Sequence, residues 1–192
     1  MSHIPGNDVT LTDVSRLLLV SLNLDAILRE TSIHRWRGRL VAMADGLGLE
    51  DAYGATIERI KTQGGEKSRL GMTALMWICH SERPLEAQEL CQALAVGSGS
   101  GDCSNDSAPS IRTVLSCCQG LAVIDKEAST VRLVHYTLLE YLACHRNSFQ
   151  NPHSTIAETC LTYLNSHEVM ALSDSHIQST QHPPFLEYSS VY

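Results

Sequence analysis

Long apolar runs, aromatic bulk and positive charge are all scarce in this chain. No apolar stretch approaches the ~20 residues a membrane helix needs. Leu17 to Leu22 is short and is interrupted by Ser21, so no spanning segment is expected. Aromatic residues make up 5% of the 192 positions while hydrophobic residues make up 43%, so the core must be mainly Leu, Val, Ile and Ala. The formal net charge of −7 weighs against a surface built for nucleic-acid phosphates. Arg29, Arg35, Arg37 and Arg39 cluster locally, but Asp25 and Glu30 lie nearby, and a solvated helix face is the plainer reading. There is no secretory h-region and no C-x-x-C pair of the kind that holds zinc. Seven cysteines are present (Cys79, Cys91, Cys103, Cys117, Cys118, Cys144 and Cys160), an odd number and mostly on apolar faces of expected helices. They read as reduced core thiols of an intracellular, cytoplasmic protein. Asn105-Asp106-Ser107 matches a glycosylation sequon, a pattern short enough to arise by chance.

What is there is helical periodicity. Leu17, Leu18, Leu24, Ile27 and Leu28 share one helical face from about Leu11. Thr31 can cap a second helix bearing Ile33, Trp36 and Leu40, broken by Gly46 and Gly48. A third helix is expected from Leu49 to Lys61, with Tyr53, Ile57 and Ile60 aligned, ending before Gly64-Gly65. Leu70, Ala74, Trp77 and Ile78 define the next helix. Pro84 should open another, with Ala87, Leu90, Cys91 and Leu94 inside. Gly97 to Gly101 reads as a flexible loop. Ser110 opens a helix carrying Ile111, Val114, Leu115 and Cys118, stopped by Gly120. Leu121–Ile124 and Ser129–Val134 should pair as a hairpin around Asp125–Ala128. Thr137 and Glu140 fit a T-x-x-E capping box for a helix after the hairpin. Residues 153–171 should form one more helix with Ile156, Cys160, Leu161 and Leu164 inside, and Ser173 to Pro184 a linker.

Three helices and then a hairpin is the order of a winged helix. The expected fold is mainly α with a small β-hairpin: a helical segment over 1–65, a winged-helix domain over 66–150, and a helix plus linker over 151–192.

Several segments carry a more specific resemblance. Ser81-Glu-Arg-Pro-Leu-Glu-Ala-Gln-Glu-Leu-Cys-Gln-Ala-Leu-Ala-Val96 resembles the RPL-x-x-x-EL-x-x-AL-AV segment of the winged helix named after GPI inositol-deacylase. Cys117 to Asp125 and Val131 to Leu142 resemble its hairpin and last helix. Ile156 to Asn165 resembles the segment C-terminal to that helix. Leu49 to Ile60 looks like the helix joining a NACHT ATPase module to the same domain. The order resembles fungal NACHT and ankyrin-repeat proteins, which are NLR-like signalling ATPases. The resemblance implies a non-catalytic regulatory module. Its partners would be protein, namely the NACHT nucleotide domain and an ankyrin region, in cis or in trans. Gly64-Gly-Glu-Lys-Ser68 looks like a P-loop tail but lacks the upstream glycine, and no T-P-L-H-x-A repeat occurs. No cofactor is therefore expected in this chain itself, ATP or ADP entering only through an upstream NACHT module. The chain reads as a connector, a fragment or truncated homologue.

His135 is the single site candidate. It continues the strand face of Val131 and Leu133 and precedes a helix, where unpaired N–H groups can meet an anion. In the resembled family the histidine of an MHD motif contacts the β-phosphate of ADP, and Val134-His135-Tyr136 resembles that motif with Tyr136 in place of aspartate. The alternative is a histidine packed structurally between strand and helix. Other chemistry is poorly supported. Cys117 and Cys118 point about 100° apart on a helix, which suits neither a metal nor a thiol nucleophile. Gly97 to Gly101 is not a nucleophile elbow. A DNA-binding winged helix is the alternative function, but the third helix has one arginine, Arg112, and the wing tip Asp125-Lys126-Glu127 is acidic.

Overall fold

A computed structural model describes residues 32–34, 37–38, 41, 49–97, 108–167, 169–170 and 183–192. The expected helix from Leu11, the Thr31 cap, Cys103, the Asn105 sequon and most of the glycine loop and linker lie outside these residues. The chain divides into two compact units, Met1–Glu58 and Arg59–Tyr192. In the first, residues 33–34, 37–38 and 41 are helical, with Ile33 and Val41 exposed. Helix α1, Leu49–Thr62, belongs to both units and buries Tyr53, Ile57 and Ile60 along one face, as its spacing predicts.

The second unit is mostly helical with one small antiparallel sheet. Gly64 (φ 84°) and Gly65 (φ 48°) take the left-handed turn that separates α1 from α2, Gly65–His80. Helix α2 buries Leu70, Gly71, Ala74, Leu75, Met76 and Trp77. Helix α3, Ala87–Val96, is buried almost all round, from Glu89 to Val96. A helix buried on every side belongs in the centre of a domain. Helix α3 packs against α2 and against three helices from later in the chain.

Pro84 does not open α3. Glu86 is its N-cap, and Glu86 and Glu89 form a reciprocal capping box. The chain stays extended there because Leu85 and Glu86 pair with the sheet: Val131 N–H donates to Leu85 C=O at 2.8 Å, and Glu86 bridges Thr130. This isolated bridge beside the two-stranded sheet carries Leu85 into the core.

Helix α4, Ile111–Cys117, starts at Ser110, whose hydroxyl accepts from Thr113 N–H at 3.2 Å, and stops at Gln119 and Gly120, both at positive φ. Strands β1, Ala122–Asp125, and β2, Thr130–Leu133, pair with Ala122 opposite Leu133 and Asp125 opposite Thr130. Asp125 Oδ1 accepts from Glu127 and Ala128 N–H and so shapes the wing tip. The hairpin falls one residue later than its expected start.

Helix α5, Tyr136–Cys144, leads through a 3-10 turn, Arg146–Ser148, to α6, Pro152–Leu164. Helix α6 buries Ile156, Thr159, Cys160 and Tyr163, a set spaced i, i+3, i+4, i+7. Leu161, expected inside, is 63% exposed, because it sits about 100° beyond Cys160 around the helix. The helix also ends at Leu164 rather than near 171, with Asn165 as C-cap and Ser166 beginning a separate turn through its bonds to Val169 and Met170 N–H. Residues after Pro183, where the sequence pattern suggests the end of a linker, form helix α7, Pro184–Val191, packed on α3 and α6.

Candidate functional site

The N-terminus of α5 is where the sequence places its only site residue. Strand β2 ends at Leu133, and Val134 N–H donates to Leu121 C=O at 2.9 Å, which fixes the exit of the wing. His135 is then extended (φ −156°, ψ 151°) and is itself the N-cap of α5. The expected capping box beginning at Thr137 is displaced. The cap belongs to His135, two residues earlier, because the strand exit leaves the imidazole within reach of the first turn. Its Nδ1 accepts from Thr137 N–H at 3.4 Å and lies 2.8 Å from Thr137 Oγ1. An accepting Nδ1 puts the ring proton of a neutral imidazole on Nε2. Thus one nitrogen is committed to the fold and the other is a donor. Tyr136 is 52% exposed and lies against the His135 ring at 4.5 Å between centroids.

Beyond His135, α5 buries only Leu138 and Leu142. Its outward side carries Tyr136 and Leu139, 52% and 46% exposed, with Glu140 as the helix's one charged residue. An apolar face spaced i, i+3 therefore begins beside the candidate anion donor.

Among the described residues, Cys79, Cys91, Cys117, Cys118 and Cys160 are packing groups, whereas Cys144 is exposed. Burial pushes the Cys79 and Cys118 thiols up to about 12 and that of Cys91 to about 11, and raises Cys117 and Cys160 as well. Protonated, buried thiols are poor nucleophiles. Cys118 Sγ instead approaches Gly71 C=O at 3.9 Å, where α4 packs on α2. Among the described residues no group of three or more His, Cys, Asp or Glu side chains could hold a metal ion. No described helix is long and apolar enough to cross a membrane.

Two further clusters go beyond the sequence expectations. At one end of α2, the His80 ring meets the Phe149 and His153 rings edge-on, at 5.7 and 5.4 Å. Only the fold juxtaposes these residues, so no spacing could reveal them. Burial, with the neighbouring His153, holds His80 below its ordinary value of 6.5. The unfolded chain then binds the proton more readily than the folded one. Stability should be undiminished above the ordinary histidine value and fall as pH drops through it, until the folded His80 is protonated too. Urea midpoints at about pH 7.5 and about pH 5.5 should therefore differ more in the wild type than in His80→Gln. The other cluster is the seat of α7, where Phe185 and Tyr188 are wholly buried against Trp77 and Tyr163. Its signal in the sequence is two aromatic residues three apart after a proline pair.

No curated protein and no solved structure matches the chain. Residues 57–160 match the family described as GPI inositol-deacylase, winged helix domain. That span begins in α1, contains α2 to α5 with the paired wing, and ends within α6. With more than half of its length in the match and the wing in place after its helices, the chain belongs to the GPI inositol-deacylase winged helix domain family.

Proposed function

We propose that this chain is a non-catalytic, protein-docking regulatory module of an NLR-like NACHT–ankyrin signalling protein, working in the cytoplasm. In this reading residues 1–65 are the end of a NACHT module, and residues beyond 151 lead toward a sensor region. The observation that carries the proposal is the apolar outer face of α5, Tyr136 and Leu139, adjoining His135. A nucleotide domain seated on that face would bring bound ADP toward the Nε2 donor. The module would then sit docked or undocked according to the nucleotide within reach. The cofactor belongs to the partner domain.

Electrostatics supports protein over DNA as the partner. Helix α4 is seven residues long and carries Arg112 alone as a cation. On the wing, Arg132 is paired with Asp125 at 3.3 Å. Little phosphate neutralisation is on offer.

The decisive variant is His135→Asn in a NACHT-containing protein that carries this domain. Asparagine is a good N-cap, so the start of α5 survives, whereas His135→Ala would also cost about 1 kcal/mol of cap. Loss of bound ADP should be at least about tenfold faster in His135→Asn. Unchanged retention rejects the sensor role. Duplex-DNA binding that weakens as salt rises would overturn the choice of partner.

A further inference from the structure

Helix α7 is held in the manner of a bound peptide. Its N-cap, Pro183, has no side chain that can cap, and the Phe185 N–H is taken at 2.9 Å by Oε1 of Gln92, a buried side chain on α3. Tyr188 OH accepts from Glu82 N–H at 3.1 Å, in the loop between α2 and α3. The Arg83 guanidinium lies 5.4 Å from the Tyr188 ring centre, and Glu89 fixes it there through two hydrogen bonds of 2.8 and 2.6 Å. Trp77 meets both aromatic rings in T-shaped geometry, at 5.7 Å to Phe185 and 5.9 Å to Tyr188. Tyr163 closes the seat at 5.1 Å from Phe185. The winged-helix body thus supplies an acceptor to one backbone N–H of a short segment, and a donor to the phenol, a cation over a ring and apolar walls to two of its side chains.

The segment itself is slight. An eight-residue helix has no stability of its own. Glu187, Ser190, Val191 and Tyr192 face outward, and Val191 is 68% exposed. It also lies beyond the family match, which ends at residue 160.

We propose that the groove lined by Trp77, Arg83, Gln92 and Tyr163 is a receptor for a short amphipathic helix. Pro183–Tyr192 occupies it in cis as a displaceable strap. The partner it fits is a protein segment of the same chemistry: proline-led, with aromatic residues three positions apart and an acid before the second. This is helix-in-groove recognition. In cis the strap competes at an effective concentration on the order of millimolar, so a micromolar partner gains the groove only when the strap is weakened. The site is separate from the outer face of α5 and stands without it.

The test uses a fluorescent peptide of the sequence 183–192 and the full chain carrying Phe185→Ala with Tyr188→Ala. This variant should bind the peptide at least about tenfold more tightly than wild type, one to one. A folded variant, helical by circular dichroism, that binds no better than wild type overturns the proposal. Should the variant unfold, the wild-type sequence with a protease site placed after Gln178 is cut after folding. The nicked protein should exchange its own C-terminal piece for labelled peptide while its circular dichroism stays native. Exchange that occurs only with unfolding of the whole domain makes α7 a core element and overturns the strap.

Discussion

Trp77→Ala is expected to destabilise the second unit by about 3–5 kcal/mol, the largest effect expected of a single substitution in it. The indole is 1% exposed on the inner face of α2, between the body of the domain and the Phe185 and Tyr188 rings. Removing it forfeits the transfer free energy of the ring and leaves a cavity that the surrounding helices cannot close together. It also removes the wall against which α7 seats, so α7 should become protease-sensitive at denaturant concentrations well below the global midpoint. Urea unfolding by circular dichroism reads the first effect and limited proteolysis the second. A loss under about 1 kcal/mol would mean that the indole is not a core group. Trp77→Phe should fall between, since a smaller ring keeps part of both contacts.

Gly71→Ala is the second large effect, and its sign depends on which of two terms wins. In an exposed helix the change gains about 1 kcal/mol of propensity. Here the added Cβ would lie 2.6 Å from Cys117 C=O and 2.9 Å from Ile60 Cγ2. The isoleucine tip can rotate away. The carbonyl cannot, because it belongs to the backbone of α4 and also accepts from Gln63 Nε2 at 2.8 Å. Overpacking of this kind costs up to about 3 kcal/mol or somewhat more, so the net loss should be about 2 kcal/mol. For a domain of this size that lowers Tm by roughly 4–8 °C. Gly97→Ala is the matched control. Its Cβ would meet nothing nearer than 3.5 Å, and its φ of −64° suits any residue. That variant should melt with the wild type. Equal melting of Gly71→Ala and Gly97→Ala would refute the close approach of α4 to α2.

These two positions mark where sequence reasoning stops. Trp77 is legible as a buried residue, because Leu70, Ala74 and Trp77 share a helical face. That its partners are Phe185 and Tyr188 is not, since nothing local tells the aromatic C-terminal end to return to the domain. Gly71 gives no signal at all. A glycine inside a helical pattern looks like a small local cost until another backbone is found against it.

The same division runs through the candidate site. Position 135 is identifiable because a strand pattern gives way there to a helical one. The identity of the cap is not. T-x-x-E at Thr137 and Glu140 is a valid local rule, yet the exit of β2 and the Val134–Leu121 hydrogen bond set the helix start earlier and give the cap to the histidine. Pro84 misleads for a related reason. Proline suits a first helical turn, but Leu85 and Glu86 are needed as an extended partner for β2.

Periodicity by itself settled the order of the central helices, the hairpin after them and most of the faces that go inside, with Leu161 an exception, because burial of apolar side chains at 3.6- and 2-residue spacing is a property of neighbours along the chain. The bridge from Glu86 to Thr130, the His80–His153 pair, the close contact at Gly71 and the return of α7 into its groove were decided by the tertiary structure alone. Each joins residues far apart in sequence, and the free energy of such a contact depends on a geometry that exists only once the chain has folded.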